Sequence, residues 1–149
     1  MPAELSLILL DAIDEAFDRK SWHGPNLRGA LRGVTAQQAF WRPAPGRHSI
    51  WELTLHCAYW IYVGRRRLTG DKRGSFPLKG SNFFPVPEEP TEAAWKLANQ
   101  LLVDQHQDWR AAVSQLKTVD GKKIHLIRGV AAHDLYHAGQ IQLLKRLQS

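Results

Sequence analysis

The chain has 149 residues, of which 44% are hydrophobic, with six tryptophans and a single cysteine. This length predicts one domain, 1–149, with enough apolar surface for a core, so a largely disordered chain is excluded. One cysteine excludes an internal disulfide framework and a thiolate-rich zinc site.

The formal net charge is +6, so a nucleic-acid partner has to be considered. The basic residues are scattered, however, apart from the short run 65–67. A solvated surface, or a field that attracts a small anion, explains them more simply, and nucleic-acid binding ranks third. The N-terminal segment lacks the basic start of a signal peptide, and no apolar run is long enough to cross a membrane. We therefore expect a cytoplasmic protein without a membrane partner.

The first half of the chain predicts two long helices with two short ones between them. Apolar residues repeat at helical spacing over 3–20, and two short helical segments are expected at 26–33 and 35–40. Ser49 and Glu52 form a capping-box pattern, in which each side chain accepts a hydrogen bond from the backbone amide of the other residue. This box begins the second long helix, 50–68.

The second half begins with a long segment, 71–90, that has neither helical nor strand periodicity. Such a loop is uncommon in a compact domain and is often functional, and its three phenylalanines predict that it packs over another part of the protein. A third long helix is expected over 91–116 and a fourth over 124–147. Because no segment has the pattern of a strand, the predicted fold class is all-α, a four-helix bundle.

Three histidines lie on the apolar faces of these predicted helices. His133 and His137 are four residues apart, which places them about 40° and about 6 Å apart on one helix face. His56 lies on the apolar stripe of the second long helix. Each could be a core histidine satisfied by hydrogen bonds, since burial without a partner costs roughly 1–3 kcal/mol. Alternatively, the three bind one divalent metal ion, because neutral imidazole is a good ligand for Zn, Ni, Fe and Mn.

Several neighbouring residues have a structural and a functional interpretation. Glu52 is expected to cap its helix, with a base beside the metal as the alternative. Gln140 could bond a ligand imidazole or make a packing contact. Asp134 is interpreted first as half of a helix–helix ion pair and second as an acceptor for a ligand histidine. Cys57 is expected to be a buried, inert thiol, and His106 an edge residue.

Two segments carry a resemblance to a known family. The segment 133–141, HDLYHAGQI, resembles the C-terminal signature of the DinB-like superfamily of damage-inducible and YfiT-type metalloenzymes. The segment 49–56, SIWELTLH, resembles its second-helix motif. The resemblance implies an up-down-down-up bundle and a metal site made of His56, His133 and His137.

The resemblance also implies a function. Three protein ligands leave a coordination position open for water or a thiol, as in catalytic sites. Relatives that use low-molecular-weight thiols such as bacillithiol or mycothiol imply an S-transferase, or a related hydrolase, that acts on a small-molecule substrate. The rival is a non-catalytic metal-binding stress-response module. The resemblance further suggests a homodimer.

Overall fold

The computed structural model describes residues 2–149, and these residues form six helices and no strand. The predicted all-α class is therefore confirmed. The helices are α1 (Ala3–Phe17), α2 (Leu27–Leu31), α3 (Ala36–Phe40), α4 (Ile50–Thr69), α5 (Glu92–Ser114) and α6 (Gly121–Leu147). Within the described residues, none of these helices has the length and apolarity needed to cross a membrane.

The ends of the four long helices lie within two residues of the predicted bounds, with two exceptions. The Ser49–Glu52 capping box is present at the start of α4, which ends at Gly70 in the left-handed conformation with φ 78°. Helix α1 ends three residues earlier than predicted. Helix α6 begins three residues earlier, because the carboxylate of Asp120 accepts a hydrogen bond from the Lys123 amide at 2.9 Å and so caps the helix.

Each of the four long helices packs against two others. Helix α4 contacts α5 and α6, and α1 contacts the same two helices from the opposite side. The short helices close one part of the bundle, α2 against α6 and α3 against α4 and α5. Large side chains that are almost completely buried fill the centre: Phe17, Trp51, Ile61, Leu102, Trp109, Ile127 and Ile141.

Helices α4 and α6 approach closely at Gly64. A Cβ atom at this position would lie 2.7 Å from Cγ2 of Val130, so any larger residue would force the two helices or the valine to move. Gly129, one residue from that valine, has open space where its Cβ would lie. The absence of a side chain at 64 therefore sets the separation of the two helices that carry the histidines.

His106 is a core residue of the α1–α5 interface, so the expectation of an edge position is wrong. Its side chain is 4% exposed, and its ring stacks on Phe17 with centroids 3.6 Å apart. Next to it, Arg110 donates two hydrogen bonds to Asp14, at 2.7 and 2.9 Å. Burial lowers the pKa of His106 to about 4, although the nearby carboxylates of Asp18 and Asp14 oppose the shift.

The lowered pKa of His106 predicts a loss of stability in acid. Between pH 6.5 and 4, His106 is protonated in the unfolded chain but not in the folded chain. The free energy of unfolding therefore falls as the pH falls. We expect His106→Phe to remove this contribution to the pH dependence of the free energy of unfolding, which amounts to about 3 kcal/mol between pH 7 and pH 4. Urea unfolding across this range measures it, with His23→Gln, an exposed histidine, as the control. Parallel pH curves for His106→Phe and the wild type would contradict the assignment.

The close approach at Gly64 predicts opposite effects for two similar substitutions. Gly64→Ala should destabilise the protein by about 1–3 kcal/mol, because its methyl group overlaps Val130. Gly129→Ala should stabilise it by about 0.5–1 kcal/mol, since alanine favours the helix and the site has room. Denaturant unfolding at pH 7 compares them, and equal stability of the two variants would refute the steric argument.

Candidate metal centre

The fold brings the three predicted histidines to one point. His56 comes from α4, and His133 and His137 come from α6. Nε2 of His133 lies 3.1 Å from Nε2 of His56 and 3.1 Å from Nε2 of His137. Two nitrogens bound to one zinc ion at 2.0–2.1 Å are about 3.3 Å apart at a tetrahedral angle and about 2.9 Å apart at a right angle. The observed spacing is therefore that of nitrogens able to bind one ion.

The outer nitrogens of two rings determine where their protons lie. Nδ1 of His56 is 3.0 Å from the carbonyl oxygen of Asn82, and Nδ1 of His137 is 2.7 Å from Oε1 of Gln140. Both oxygens can only accept, so each Nδ1 carries the proton and each neutral ring presents a lone pair at Nε2. His133 can donate to at most one of them. A metal ion, which accepts all three lone pairs, satisfies this arrangement fully.

Burial keeps the three rings in the neutral form that binds metal. It lowers the pKa of His56 and of His133 to about 4, and it lowers the pKa of His137. The histidines also repel each other's charged forms, while the outer hydrogen bonds of His56 and His137 oppose the shift. At pH 7 a metal ion would displace no proton from Nε2 of His56 or His137.

Two residues of the loop 71–90, Asn82 and Phe83, make contacts that the sequence did not predict. Asn82 adopts a left-handed backbone conformation, φ 67°, and its side-chain oxygen accepts from Nε1 of Trp60 at 2.9 Å. Phe83 stacks on His56 at 4.2 Å and on His48 at 3.8 Å. Asparagine tolerates φ > 0 better than most residues, but a lone asparagine in a loop does not indicate which histidine it will meet. The expectation that the loop packs over another part of the protein is correct.

Comparison with protein families identifies the chain. The family model of the DinB superfamily matches residues 21–141. The chain belongs to the DinB superfamily. The matched region contains both segments that carried the resemblance, and it includes all three histidines. Searches of curated proteins and of solved structures gave no match.

Two other polar residues near the centre of this DinB-superfamily protein, Gln140 and Glu52, have defined contacts. Gln140 bonds His137, as one of its two interpretations held. Glu52 completes the capping box, at 2.7 Å from the Ser49 amide, and pairs with Arg42 at 3.1 Å. These contacts account for its capping role, and a role as a base stays a prediction.

Asp134 does not form the helix–helix ion pair that was expected. Its side chain is 3% exposed, no cation within residues 2–149 lies at ion-pair distance, and Oδ1 has no hydrogen-bond partner. Burial raises the pKa of this carboxyl well above its usual range. The buried thiol of Cys57 lies nearby, within 4.8 Å of ligand atoms of Asp134 and His133, and burial raises its pKa too, as expected of an inert thiol.

A cleft of about 260 Å³ between α4 and α6 reaches the histidines from outside. His133 lines it and is the most exposed of the three histidines. Trp60 forms another wall, with its ring centroid 6.2 Å from that of His133. A small molecule can therefore approach the centre from the side of His133.

The hydrogen bonds predict the tautomers of the histidines in metal-free protein. At pH 7.5, after dialysis against a chelator, we expect neutral His56 and His137 with the proton on Nδ1, because burial lowers the pKa of both rings below 6.5 and their Nδ1 atoms face acceptors. Long-range ¹H–¹⁵N NMR distinguishes the tautomers. Gln140→Ala should alter only the tautomer of His137. An Nε2–H tautomer of His56, or a charged His56 ring at pH 6, would contradict the assignment.

Proposed function

We propose that the protein is a divalent-metal-dependent enzyme whose ion is held by His56, His133 and His137. The observation that carries this proposal is the convergence of three Nε2 atoms, two of which have their ring protons held on the opposite nitrogen. A donor set of neutral imidazoles suits Zn, Ni, Fe or Mn.

The chain's own residues prepare the centre for this role. Asn82 and Gln140 hold two imidazoles in the tautomer and orientation that ligands need, which is the usual task of outer hydrogen-bond partners at metal sites. Phe83 covers one face of His56 and keeps water from it. Trp60 and the cleft beside His133 leave a path for a small molecule.

We propose thiol-dependent S-transfer to a small electrophile, or hydrolysis, as the reaction. A bound divalent ion with an open position lowers the pKa of a coordinated thiol or water and so generates a nucleophile near neutral pH. The half-buried position of His133 at the cleft supports a substrate that reaches the centre, which a purely structural ion would not need. The rival non-catalytic module predicts the same metal without turnover.

We propose the up-down-down-up topology for the four long helices. Trp51 of α4 contacts Trp95 of α5 near their starts, and Gly64 lies close to Trp109 further along, which supports parallel helices. Between α4 and α6, His56 faces His137 and Gly64 faces Val130. Residue numbers thus rise along one helix as they fall along the other, which supports antiparallel α4 and α6. The contacts between α1 and α5 pair Phe17 with His106 and Asp14 with Arg110, which supports antiparallel α1 and α5.

The cytoplasmic location and the homodimer stay predictions of the sequence.

The metal proposal is tested by loading and substitution. Tag-free protein loaded with Zn²⁺ and freed of excess metal should retain one ion per chain, as measured by elemental mass spectrometry. His56→Ala, His133→Ala and His137→Ala should each lower the affinity by roughly 100-fold or more in a chelator competition, since even the loss of an outer partner costs 10–100-fold. His23→Ala, an exposed histidine outside the cluster, is the matched control.

Two outcomes would overturn these proposals separately. No bound ion after loading with Zn, Ni, Fe and Mn, or full affinity in His56→Ala, would remove the metal centre. A stoichiometric ion without turnover across a panel of low-molecular-weight thiols, electrophiles and hydrolysable esters would remove the enzyme and favour the non-catalytic module.

A further inference from the structure

A second cavity, larger than the cleft, lies between α4 and the segment 73–81 of the long loop. Its volume is about 640 Å³, which is within the range of about 300–1,000 Å³ typical of small-molecule sites. We call it the basic cavity. The residues that define it are four cations and four aromatic residues: Arg66, Arg67, Arg73, Lys79, Tyr59, Trp60, Tyr62 and Phe76.

The charge of the basic cavity is uncompensated. No acidic residue lines it, and within residues 2–149 no carboxylate lies at ion-pair distance from any of its four cations. The nearest acid in the sequence, Asp71, pairs instead with Arg65, which lies outside the lining, at 3.2 Å. Cations gathered in a concave site attract anions, and arginines bind phosphate and carboxylate groups through paired hydrogen bonds.

The aromatic wall of the basic cavity is fixed by contacts with the loop. Phe76 packs against Tyr59 at 5.4 Å and against Tyr62 at 5.3 Å, measured between ring centroids. The amide of Gly74 donates to the Tyr62 hydroxyl at 3.2 Å, which ties the loop to α4. The wall therefore offers a held surface against which a flat, apolar body can pack.

The basic cavity adjoins the cleft that reaches the metal centre. Trp60, Val63 and Arg67 line both, and the cleft ends at His133. A ligand with its anionic group among the arginines can therefore extend its other end past Trp60 towards the histidines.

From this arrangement we propose that the basic cavity binds the substrate of the metal centre, and that this substrate joins a planar, apolar body to a multiply charged oxyanion, a phosphate or a polycarboxylate. The assignment of the ligand as a substrate rests on the proposed function. The binding itself rests on the cations and the aromatic wall alone.

Calorimetry on the full chain tests the ligand class with simple probes. We expect saturable binding of 1-naphthyl phosphate or of 2,3-naphthalenedicarboxylate, and the tighter of the two identifies the oxyanion. 1-Naphthol and inorganic phosphate, which each lack one half of the ligand, should bind at least about tenfold more weakly. Equal binding of 1-naphthol, or no saturable binding of either aromatic anion, would overturn the proposal.

Matched charge substitutions locate the binding. Arg67→Gln with Arg73→Gln removes two cavity cations that are exposed and so should not affect folding. This variant should bind the aromatic anion at least about tenfold more weakly. Arg128→Gln with Arg146→Gln removes the same charge from exposed positions of α6 outside the basic cavity and should bind like the wild type. Equal losses in both pairs would show attraction by net charge only and would refute the site.

The same variants separate this proposal from that of the metal centre. The cavity variant should still bind one Zn²⁺ per chain, and His137→Ala should lose the ion while keeping its affinity for the aromatic anion. If His137→Ala binds the anion normally and neither the wild type nor any variant binds metal, only the metal proposal fails. If the anion does not bind while Zn²⁺ does, only the ligand proposal fails.

Discussion

The metal centre depends on one constraint: its three Nε2 atoms have too few ring protons between them to satisfy one another by hydrogen bonds. Three imidazoles of His56, His133 and His137 present their Nε2 atoms to one another, and two of these atoms have no proton to donate because the protons lie on the opposite nitrogens. Buried polar atoms in native proteins almost always have partners. Close contact between α4 and α6, made possible by Gly64, keeps the three rings together. The fold therefore maintains an arrangement that hydrogen bonds alone satisfy incompletely and that a shared cation completes.

The long loop connects this centre to its surroundings. By returning from the end of α4 to a point near its start, the loop brings the Asn82 carbonyl to His56 and Phe83 onto the face of the same ring. Earlier in the loop, Phe76 forms a wall of the basic cavity. One segment thus fixes a ligand tautomer and shapes the neighbouring cavity, so movement of the loop would affect both. Three neutral ligands would also leave the full charge of a divalent ion uncompensated, which, together with the cavity cations, favours an anionic substrate over a cationic one.

Periodicity predicted the long helices and placed all three histidines on apolar helix faces, because both features depend on local geometry, whereas the meeting of His56 with the other two was implied by the resemblance to the DinB superfamily. A separation of four residues places His133 and His137 on one face whatever the rest of the fold. The surroundings of Asp134 and His106 depended instead on how each helix is rotated about its axis relative to its neighbours. Helix α6 contacts α1, α2 and α4, so most of its circumference is covered, and a residue 100° from the ligand face is buried rather than paired at the surface. The position of Asn82 needed the path of a loop without periodicity, which no local pattern determines.

A second cluster shows why proximity alone does not make a metal site. Ligand atoms of Asp14, Asp18 and His106 also lie within 4.8 Å of one another, between α1 and α5. Here, however, both carboxylate oxygens of Asp14 accept hydrogen bonds from Arg110, so a resident cation already neutralises the group that would bind an ion. In the three-histidine cluster, by contrast, the outer nitrogens of His56 and His137 are bonded in a way that turns the lone pairs of these two rings inward. Both clusters place their ligand atoms within 4.8 Å of one another, so it is the partners of each atom that distinguish an ion pair that closes a helix interface from a centre prepared for metal.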